Sequence, residues 1–296
     1  MLTLSTPGIP DLVAVRARHP EAVAEAAARR VRRPLLNDSG RLMIVAADHP
    51  ARGALGVGDR RLAMANRADL LQRLCTALAR PGVDGVLATA DVLEDLLLLG
   101  ALDGKVVMGS MNRGGLAGSA FEMDDRFTGH RAADLARLRF DAGKLLLRID
   151  YTDPGSLTTL EATARAIDEM AASRLPVFVE PFLSRRVDGR VENDLSAAAV
   201  TRSIAIASGL GGTSAYTWLK LPVTEDPDDM GEVLQTSTLP AVLLGGDVGA
   251  DQDAVYERWR KALRLPTVHG MVVGRSLLYP ARGSVEEAVD TAVGLL

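Results

Sequence analysis

The chain has 296 residues, of which 47% are hydrophobic and 24% are charged, and its formal net charge is −4 at pH 7. This apolar fraction and small charge exclude a disordered chain, and the mildly acidic balance argues against nucleic acid as the main partner. The single cysteine, Cys75, permits no internal disulfide, as is usual in a reducing cytosol. Because the sequence has neither an apolar stretch of roughly 20 residues nor a signal-peptide pattern, we expect a cytoplasmic protein without a membrane partner.

Short apolar runs alternate with amphipathic segments along the chain. The apolar runs predict eight strands: Leu42–Ala47, Val83–Ala90, Lys105–Met111, Lys144–Asp150, Pro176–Pro181, Thr217–Pro222, Ala241–Gly246 and Gly270–Gly274. The amphipathic segments predict helices at Asp59–Leu78, Asp91–Leu99, His130–Phe140, Ser156–Ala172, Asp194–Ser208, Asp229–Gln235, Asp251–Leu263 and Val285–Leu295. Eight strand–helix units predict one α/β domain over residues 1–296, a single (β/α)8 TIM barrel at 41–296 with an N-terminal helical extension at 1–40. A doubly wound open sheet is the alternative.

The segment Pro10–Arg33 precedes the first strand and is rich in alanine and arginine. Its pattern is helical, and we expect it to cap the bottom of the barrel or to contact another subunit. Four arginines end this segment: Arg29, Arg30, Arg32 and Arg33. We interpret them as the solvated end of a helix, where positive charge suits the helix dipole, and not as an anion-binding patch.

Cofactor motifs are missing from the sequence. The glycine pairs at Gly56–Gly58 and Gly209–Gly211 do not lie between a strand and a helix, as a dinucleotide-binding loop requires, and no P-loop pattern occurs. Of the four histidines, only His49 follows a predicted strand, so a three-histidine zinc site cannot form. We therefore expect no metal and no cofactor.

In a barrel enzyme, the chemistry takes place where the strands end and the following loops begin. The polar residues and glycines at this end are Asp48 and Arg52 after the first predicted strand, Arg113 after the third, Arg148, Asp150 and Tyr151 around the end of the fourth, Glu180 on the fifth, Lys220 on the sixth, Gly245 and Gly246 after the seventh, and Gly274 and Arg275 after the eighth.

Only four of the 34 basic residues are lysines. Lys105 and Lys144 open their predicted strands and so belong at the opposite end of the barrel, and Lys261 lies on a helix. Lys220 alone lies inside an apolar strand, where burial disfavours the charged amine and lowers its pKa. A neutral amine can attack a carbonyl carbon and form a Schiff base. Glu180, on the neighbouring strand, is either a structural ion-pair partner or a proton carrier for that reaction.

The last two strands indicate a phosphate site. Bare backbone N–H groups after Gly245 and Gly246, and again after Gly274, match the usual anion site of barrel enzymes, and Arg275 adds a positive charge.

Five segments occur in an order that resembles the class I aldolases: Lys144–Asp150, Phe178–Pro181, Trp218–Pro222, Leu244–Asp247 and Gly274–Arg275. Within that family they are most similar to the branch of tagatose-bisphosphate, sulfofructose-phosphate and archaeal-type fructose-bisphosphate aldolases, and Asp48 with Arg52–Leu55 resembles the first-strand motif of that branch. The resemblance implies a homo-oligomeric, metal-independent lyase that acts on a phosphorylated substrate. It also implies Lys220 as the Schiff-base lysine, Glu180 as general acid/base, and a phosphate held by Gly245, Gly246, Gly274 and Arg275.

The substrate hydroxyl must lose a proton during cleavage, and Glu180, Asp48 or Tyr151 could accept it. The chain departs from the aldolase pattern in three places: His49–Ala51 precede the first-strand arginine, Arg148 stands where an aromatic residue is expected, and the loop Arg113–Phe127 is long and rich in glycine. We expect Arg52, Arg113 and Arg148, with Asp150 nearby, to bind a second anionic group of the substrate, either phosphate or carboxylate.

The chain also resembles a barrel family associated with inositol breakdown. That resemblance implies cleavage of 5-dehydro-2-deoxygluconate 6-phosphate to dihydroxyacetone phosphate and malonate semialdehyde. Two other functions fit the same residues: a phosphosugar isomerase or epimerase that needs no reactive lysine, and a non-catalytic phosphosugar-binding homologue of the aldolases.

Overall fold

The computed structural model describes residues 6–246 and 251–296. Nine strands of the described segments form one sheet: β1 (Leu42–Ala46), β2 (Gly85–Ala88), β3 (Val106–Ser110), β4 (Ala142–Ile149), β5 (Val177–Val187), β6 (Arg190–Asn193), β7 (Thr217–Leu221), β8 (Ala241–Leu244) and β9 (Val268–Val273). All pairs are parallel except β5–β6. Strand β1 pairs with both β2 and β9, and β4 pairs with both β3 and β5, so the sheet closes on itself. The closed sheet confirms the (β/α)8 barrel and excludes the open doubly wound sheet.

Helices surround the barrel in the described segments: α1 (Leu12–Arg18), α2 (Ala22–Arg29), α3 (Arg67–Leu78), α4 (Ala90–Leu98), α5 (Ala132–Arg137), α6 (Gly155–Ala172), α7 (Ala197–Ser208), α8 (Met230–Val233), α9 (Gln252–Leu263), α10 (Arg275–Leu278) and α11 (Val285–Val293). The predicted helix Asp59–Leu78 begins eight residues late, at Arg67, because the side chain of Asn66 caps it by accepting a bond from Asp69 N. No helix within the described residues is long and apolar enough to cross a membrane.

The interior of the barrel is apolar at the N-terminal ends of the strands. The side chains that fill it are buried and belong to one cluster: Leu42, Ile44, Ala46, Leu87, Val106, Met108, Ala142, Phe178, Val242 and Val272. Leu35 and Leu36, which precede β1, pack against this cluster from below. Because this end is closed by hydrocarbon, polar side chains on the same strands gather at the opposite, C-terminal end.

The N-terminal extension lies across the bottom of the barrel, which is one of the two positions expected for it. Arg29 is the exposed last residue of α2, as expected, but the interpretation as a solvated helix end is wrong for Arg30, Arg32 and Arg33. Arg30 is only 3% exposed and lies 3.1 Å from Asp141, to which Arg32 also binds at 2.9 Å. Arg33 pairs with Asp84. Asp84 directly precedes β2 and Asp141 directly precedes β4, so the arginines attach the extension to the N-terminal ends of these strands.

Strands β5 and β6 form a hairpin that the sequence patterns do not predict. The predicted fifth strand ends at Pro181, but the observed strand continues to Val187 and turns at Asp188 and Gly189, both with positive φ (47° and 78°). An Asp-Gly pair favours this tight turn. Arg186 Nη1 donates to Gly189 O at 3.1 Å and to Ser119 O at 3.5 Å, which joins the hairpin to the loop after β3.

Candidate active site

A cavity of about 640 Å³ opens at the C-terminal ends of the strands. Its walls carry more basic than acidic side chains, and the charged or titratable groups that line it are His49, Arg52, Arg148, Glu180, Glu192, Lys220, Arg258 and Arg275. The hairpin supplies Val191, Glu192 and Asn193 to the wall. A positive wall of this kind suits an anionic small molecule.

Two lysines share one carboxylate at the bottom of this cavity. Lys220 Nζ lies 3.0 Å from Glu180 Oε1, and Lys144 Nζ lies 2.7 Å from Glu180 Oε2. Lys144 Nζ also lies 2.9 Å from Asp48 Oδ2. The two lysines are 5% and 4% exposed, and Glu180 is 8% exposed. The four charges therefore form one chain, Lys220–Glu180–Lys144–Asp48, buried between strands β7, β5, β4 and the end of β1.

The expectation that Lys144 lies at the opposite end of the barrel is wrong. Strand β4 begins at Ala142, two residues earlier than predicted, so Lys144 lies inside the strand and faces the barrel interior. Side chains two residues apart share a face of a strand, and Leu146 and Arg148 of β4 line the cavity above Lys144. The signal was present in the sequence, because a lysine and an arginine four residues apart bracket apolar residues of one strand.

Burial and neighbouring charges give the two lysines different pKa values. Burial disfavours the charged form of both. For Lys144, the carboxylates of Asp48 and Glu180 outweigh burial and raise its pKa above the usual value. For Lys220, burial and the charge of Lys144 outweigh the attraction of Glu180, and its pKa is lowered. The two environments thus favour a permanent cation at 144 and a deprotonable amine at 220.

The two carboxylates are held ionised. Burial alone would raise their pKa values, but the charges of Lys144 and Lys220 outweigh it and lower the pKa of Glu180 to about 2. The pKa of Asp48 is lowered further, chiefly by Lys144 against the effect of burial. An ionised Glu180 at 3.0 Å is positioned to accept a proton from Lys220.

The predicted phosphate residues come together on one wall. Gly245 and Gly246 follow β8, Gly274 follows β9, Arg275 begins α10, and all four line the cavity. Gly246 has a φ of 66°, and a methyl group on Gly274 would lie 2.3 Å from Ala46 O, so both positions require glycine. Asp247, the last residue of the seventh-strand motif, lies outside the described residues.

Arg52 and Arg148 meet at a third carboxylate. Arg148 Nη1 lies 2.8 Å and Arg52 Nη2 lies 3.1 Å from the same oxygen, Glu122 Oε1. Both arginines line the cavity, and Glu122 is only 3% exposed. A second buried carboxylate, Asp125, also lies close enough to both guanidinium groups to interact with their charges. Sequence patterns missed Glu122, which comes from the long loop after β3, and Arg258, which lines the cavity from α9.

Four predicted site residues do not line the cavity: Asp48, which is bonded to Lys144 beneath the floor, and three that lie away from it, Arg113, Asp150 and Tyr151. Arg113 is exposed and donates to Ala51 O at 2.6 Å and to Thr128 Oγ1 at 3.0 Å, so it ties loops together. Asp150 accepts bonds from the backbone and hydroxyl of Thr152 within its own turn. Tyr151 is 69% exposed on the surface. The positions of Arg113, Asp150 and Tyr151 do not support contact with a molecule in the cavity.

No group of three or more histidine, cysteine, aspartate or glutamate side chains in the described segments is arranged to hold a metal ion. The polar groups at the cavity floor are amines paired with carboxylates, and its upper wall is lined with guanidinium groups and glycines.

The barrel is of the kind found in Schiff-base aldolases. A Schiff-base-forming fructose-1,6-bisphosphate aldolase superimposes with a TM-score of 0.63 at 19% identity, over 92% of this chain and 99% of that chain. An archaeal fructose 1,6-bisphosphate aldolase superimposes with a TM-score of 0.64 at 18% identity, over 92% of this chain and 98% of that chain. At this identity the likeness establishes a shared fold.

The chain belongs to the Cgl0159-like family, whose model matches residues 40–293. The crystal structure of Cgl0159 from Corynebacterium glutamicum is 53% identical and superimposes with a TM-score of 0.94, over 99% of this chain and 98% of that chain. No curated protein is similar enough in sequence to count as a match.

Proposed function

We propose that the protein is a class I aldolase that cleaves a phosphorylated keto sugar or keto acid to dihydroxyacetone phosphate and an aldehyde. The reaction proceeds through a Schiff base on Lys220 and needs no metal ion, because the protonated imine withdraws electrons in its place. The observation that carries the proposal is the pair Lys220–Glu180 at 3.0 Å, on the floor of a cavity whose wall contains Gly245, Gly246 and Gly274.

The first step requires an uncharged amine on Lys220. Its ammonium can pass a proton directly to Glu180 Oε1, which is 3.0 Å away. Lys144 keeps its own proton because its pKa is raised, and its charge repels a second ammonium beside it. Of the two lysines on Glu180, Lys220 is therefore the one that supplies the nucleophile.

The later steps conserve protons and electron pairs. The amine of Lys220 bonds to the carbonyl carbon, and its surplus proton moves to the carbonyl oxygen to give a carbinolamine. The hydroxyl group leaves as water with the proton held by Glu180, and a protonated imine remains. When the substrate hydroxyl loses its proton to a base, the carbon–carbon bond breaks and its electron pair moves to the imine nitrogen. An aldehyde departs, and the enamine is protonated at carbon and hydrolysed to dihydroxyacetone phosphate.

The base for the substrate hydroxyl comes from the carboxylates near the cavity floor. Glu180 lines the cavity and is ionised again once its proton has left with the water molecule. Asp48 is ionised as well but is bonded to Lys144. Tyr151, the third residue proposed for this role, lies on the surface. We assign the role to Glu180, with Asp48 as the alternative.

The second anionic group of the substrate fits the wall formed by Arg52 and Arg148. Arg52 is 21% exposed at its side chain, and its Nε makes no hydrogen bond with any described residue. Because Arg52 also lines the cavity, the accessible part of its guanidinium can bind a ligand there in addition to Glu122. A substrate that carries phosphate at one end and carboxylate at the other matches both walls, and 5-dehydro-2-deoxygluconate 6-phosphate is such a molecule.

Arg52→Gln tests the second anion site. We expect it to raise the KM for 5-dehydro-2-deoxygluconate 6-phosphate by about tenfold or more, because a charged hydrogen bond to the carboxylate is lost. Release of dihydroxyacetone phosphate is followed with a coupled assay. The matched control is Arg113→Gln, which removes an arginine outside the cavity and should leave KM unchanged. Equal KM values for the wild type and Arg52→Gln would contradict this assignment.

Borohydride trapping tests the Schiff base itself. Reduction in the presence of dihydroxyacetone phosphate should attach the ketone covalently to Lys220, which intact mass and peptide mapping detect. Lys261→Met, a change at an exposed lysine on α9, should trap equally well. A protein that interconverts phosphosugars without forming an adduct would be the isomerase or epimerase. One that binds them with neither reaction would be the non-catalytic homologue.

A further inference from the structure

His49 occupies a position that the proposed chemistry does not use. It begins a single turn, His49–Arg52, directly after Asp48, and its ring lines the cavity. Nδ1 lies 3.7 Å from Asp48 Oδ1, and a methyl group on Gly274 would lie 3.2 Å from Cε1. The imidazole therefore lies between the carboxylate that holds Lys144 and the glycine wall proposed to hold phosphate.

No structural hydrogen bond fixes this ring through Nδ1. That nitrogen is buried and makes no hydrogen bond with any residue the structure describes, because 3.7 Å to Asp48 is too long. A quarter of the side chain is exposed, and it faces the cavity. Because Nδ1 makes no such bond, no described residue fixes the protonation state of the ring through this nitrogen, and a ligand in the cavity can change it.

Charged groups from four places in the fold act on the ring: Asp48 after β1, Lys144 on β4, Lys220 on β7 and Arg275 at the start of α10. Burial disfavours the imidazolium most, and the charges of Arg275, Lys220 and Lys144 add to this effect. Asp48 opposes them only in part, and the pKa of His49 is lowered to about 4. With no anion beside it, His49 is therefore uncharged at neutral pH.

We propose that His49 takes up a proton when a dianion binds at Gly274 and Arg275, and that its imidazolium then hydrogen-bonds the anion. This inference rests on the proposed phosphate site. The bound dianion offsets the repulsion from the neighbouring cations and provides an acceptor for Nε2–H, while Nδ1–H faces Asp48. The proton comes from the buffered solution, so anion binding is accompanied by proton uptake from the buffer.

The pH dependence follows from the direction of this change. An opposite charge within about 4–6 Å raises the pKa of a histidine by about 1–3 units. The affinity for a dianion is then highest near pH 4 and falls about tenfold per pH unit until the pH reaches the raised pKa of the complex. Between the pKa of free His49 and its raised pKa in the complex, the affinity for the dianion falls by about 10- to 1000-fold in total. At higher pH the affinity is constant.

Inorganic sulfate is the suitable probe, because it stays a dianion between about pH 4.5 and pH 7.5 and exchanges no proton itself. Calorimetric titrations in buffers of different ionisation enthalpy measure the protons taken up per sulfate bound. At pH 5 we expect an uptake of about 0.4 to 0.9 proton for the wild type, for a pKa raised by about 1–3 units, and none for His49→Gln, which keeps a neutral hydrogen-bonding side chain. Imidazole ¹⁵N NMR of the wild type, titrated with and without sulfate, should show a raised pKa for His49 and an unchanged one for His130, which does not line the cavity.

Three outcomes would overturn the proposal: no sulfate binding, binding without proton uptake in the wild type, or equal uptake in His49→Gln. The NMR titration tests the same proton uptake at His49 without a variant. Failure of the aldolase proposal is a separate result, because borohydride trapping on Lys220 is measured with dihydroxyacetone phosphate. A protein that couples sulfate binding to His49 but forms no adduct would retain the anion site and lose the Schiff-base function.

Discussion

Lys220→Met should abolish cleavage of every phosphorylated ketose. Methionine has about the length of lysine but no amine, so neither the carbinolamine nor the imine can form. Removing a covalent catalytic group lowers kcat by about four orders of magnitude or more. The fold should survive, because Glu180 keeps its 2.7 Å bond to Lys144 and the new side chain is apolar in a buried position. Release of dihydroxyacetone phosphate measures the activity, and a thermal melt checks folding.

Lys261→Met is the control for this substitution. It makes the same change of side chain on the surface of α9, where the partner of Lys261 is the exposed Asp228. Its activity and melting temperature should match the wild type within error. A folded Lys220→Met protein that still cleaves the substrate would rule out the Schiff base on this residue and, with it, the class I mechanism.

The barrel and part of its site could be predicted from the sequence because both depend on local patterns. Continuous apolar runs marked the buried parallel strands, and the order of those strands placed Glu180, Lys220, Gly245 and Gly274 at one end. The structure brings these residues to one cavity. An apolar strand that contains one lysine is a local signal, and it needed no knowledge of long-range pairing.

The residues that sequence patterns missed depend on boundaries and loops. A shift of two residues in the start of β4 moved Lys144 from the expected bottom of the barrel to its centre. Glu122 comes from a long loop whose path is set by contacts with Arg52 and Arg148, and no periodicity encodes such contacts. The β5–β6 hairpin was hidden because β6 has only four residues and the end of β5 is polar, so neither part forms an apolar run.

Lys144 gives the second prediction with a large effect, because its charge sets the ionisation of its neighbours. When Lys144 is replaced by an uncharged residue, no cation repels the ammonium of Lys220 and Glu180 pairs with Lys220 alone. The pKa of Lys220 therefore rises. Glu180 also loses a cation, so its pKa rises and it gives up its proton less readily. We expect Lys144→Met to lower kcat by about 10²- to 10⁴-fold, the usual size of a proton-transfer contribution. The pH profile of borohydride trapping should move to higher pH by about one unit or more.

The direction of this shift separates an electrostatic role for Lys144 from a structural one. A destabilised protein would lose trapping at all pH values, whereas a raised pKa of Lys220 predicts that trapping recovers as the pH increases. Lys144→Arg is the matched variant, because it keeps the positive charge between Asp48 and Glu180 and should keep the wild-type pH profile even where packing lowers its rate. Removing Lys144 also leaves Asp48 unpaired in a buried site, and unfolding should become easier by about 3–5 kcal/mol. A folded Lys144→Met protein with an unshifted profile would show that Lys220 owes its low pKa to burial alone.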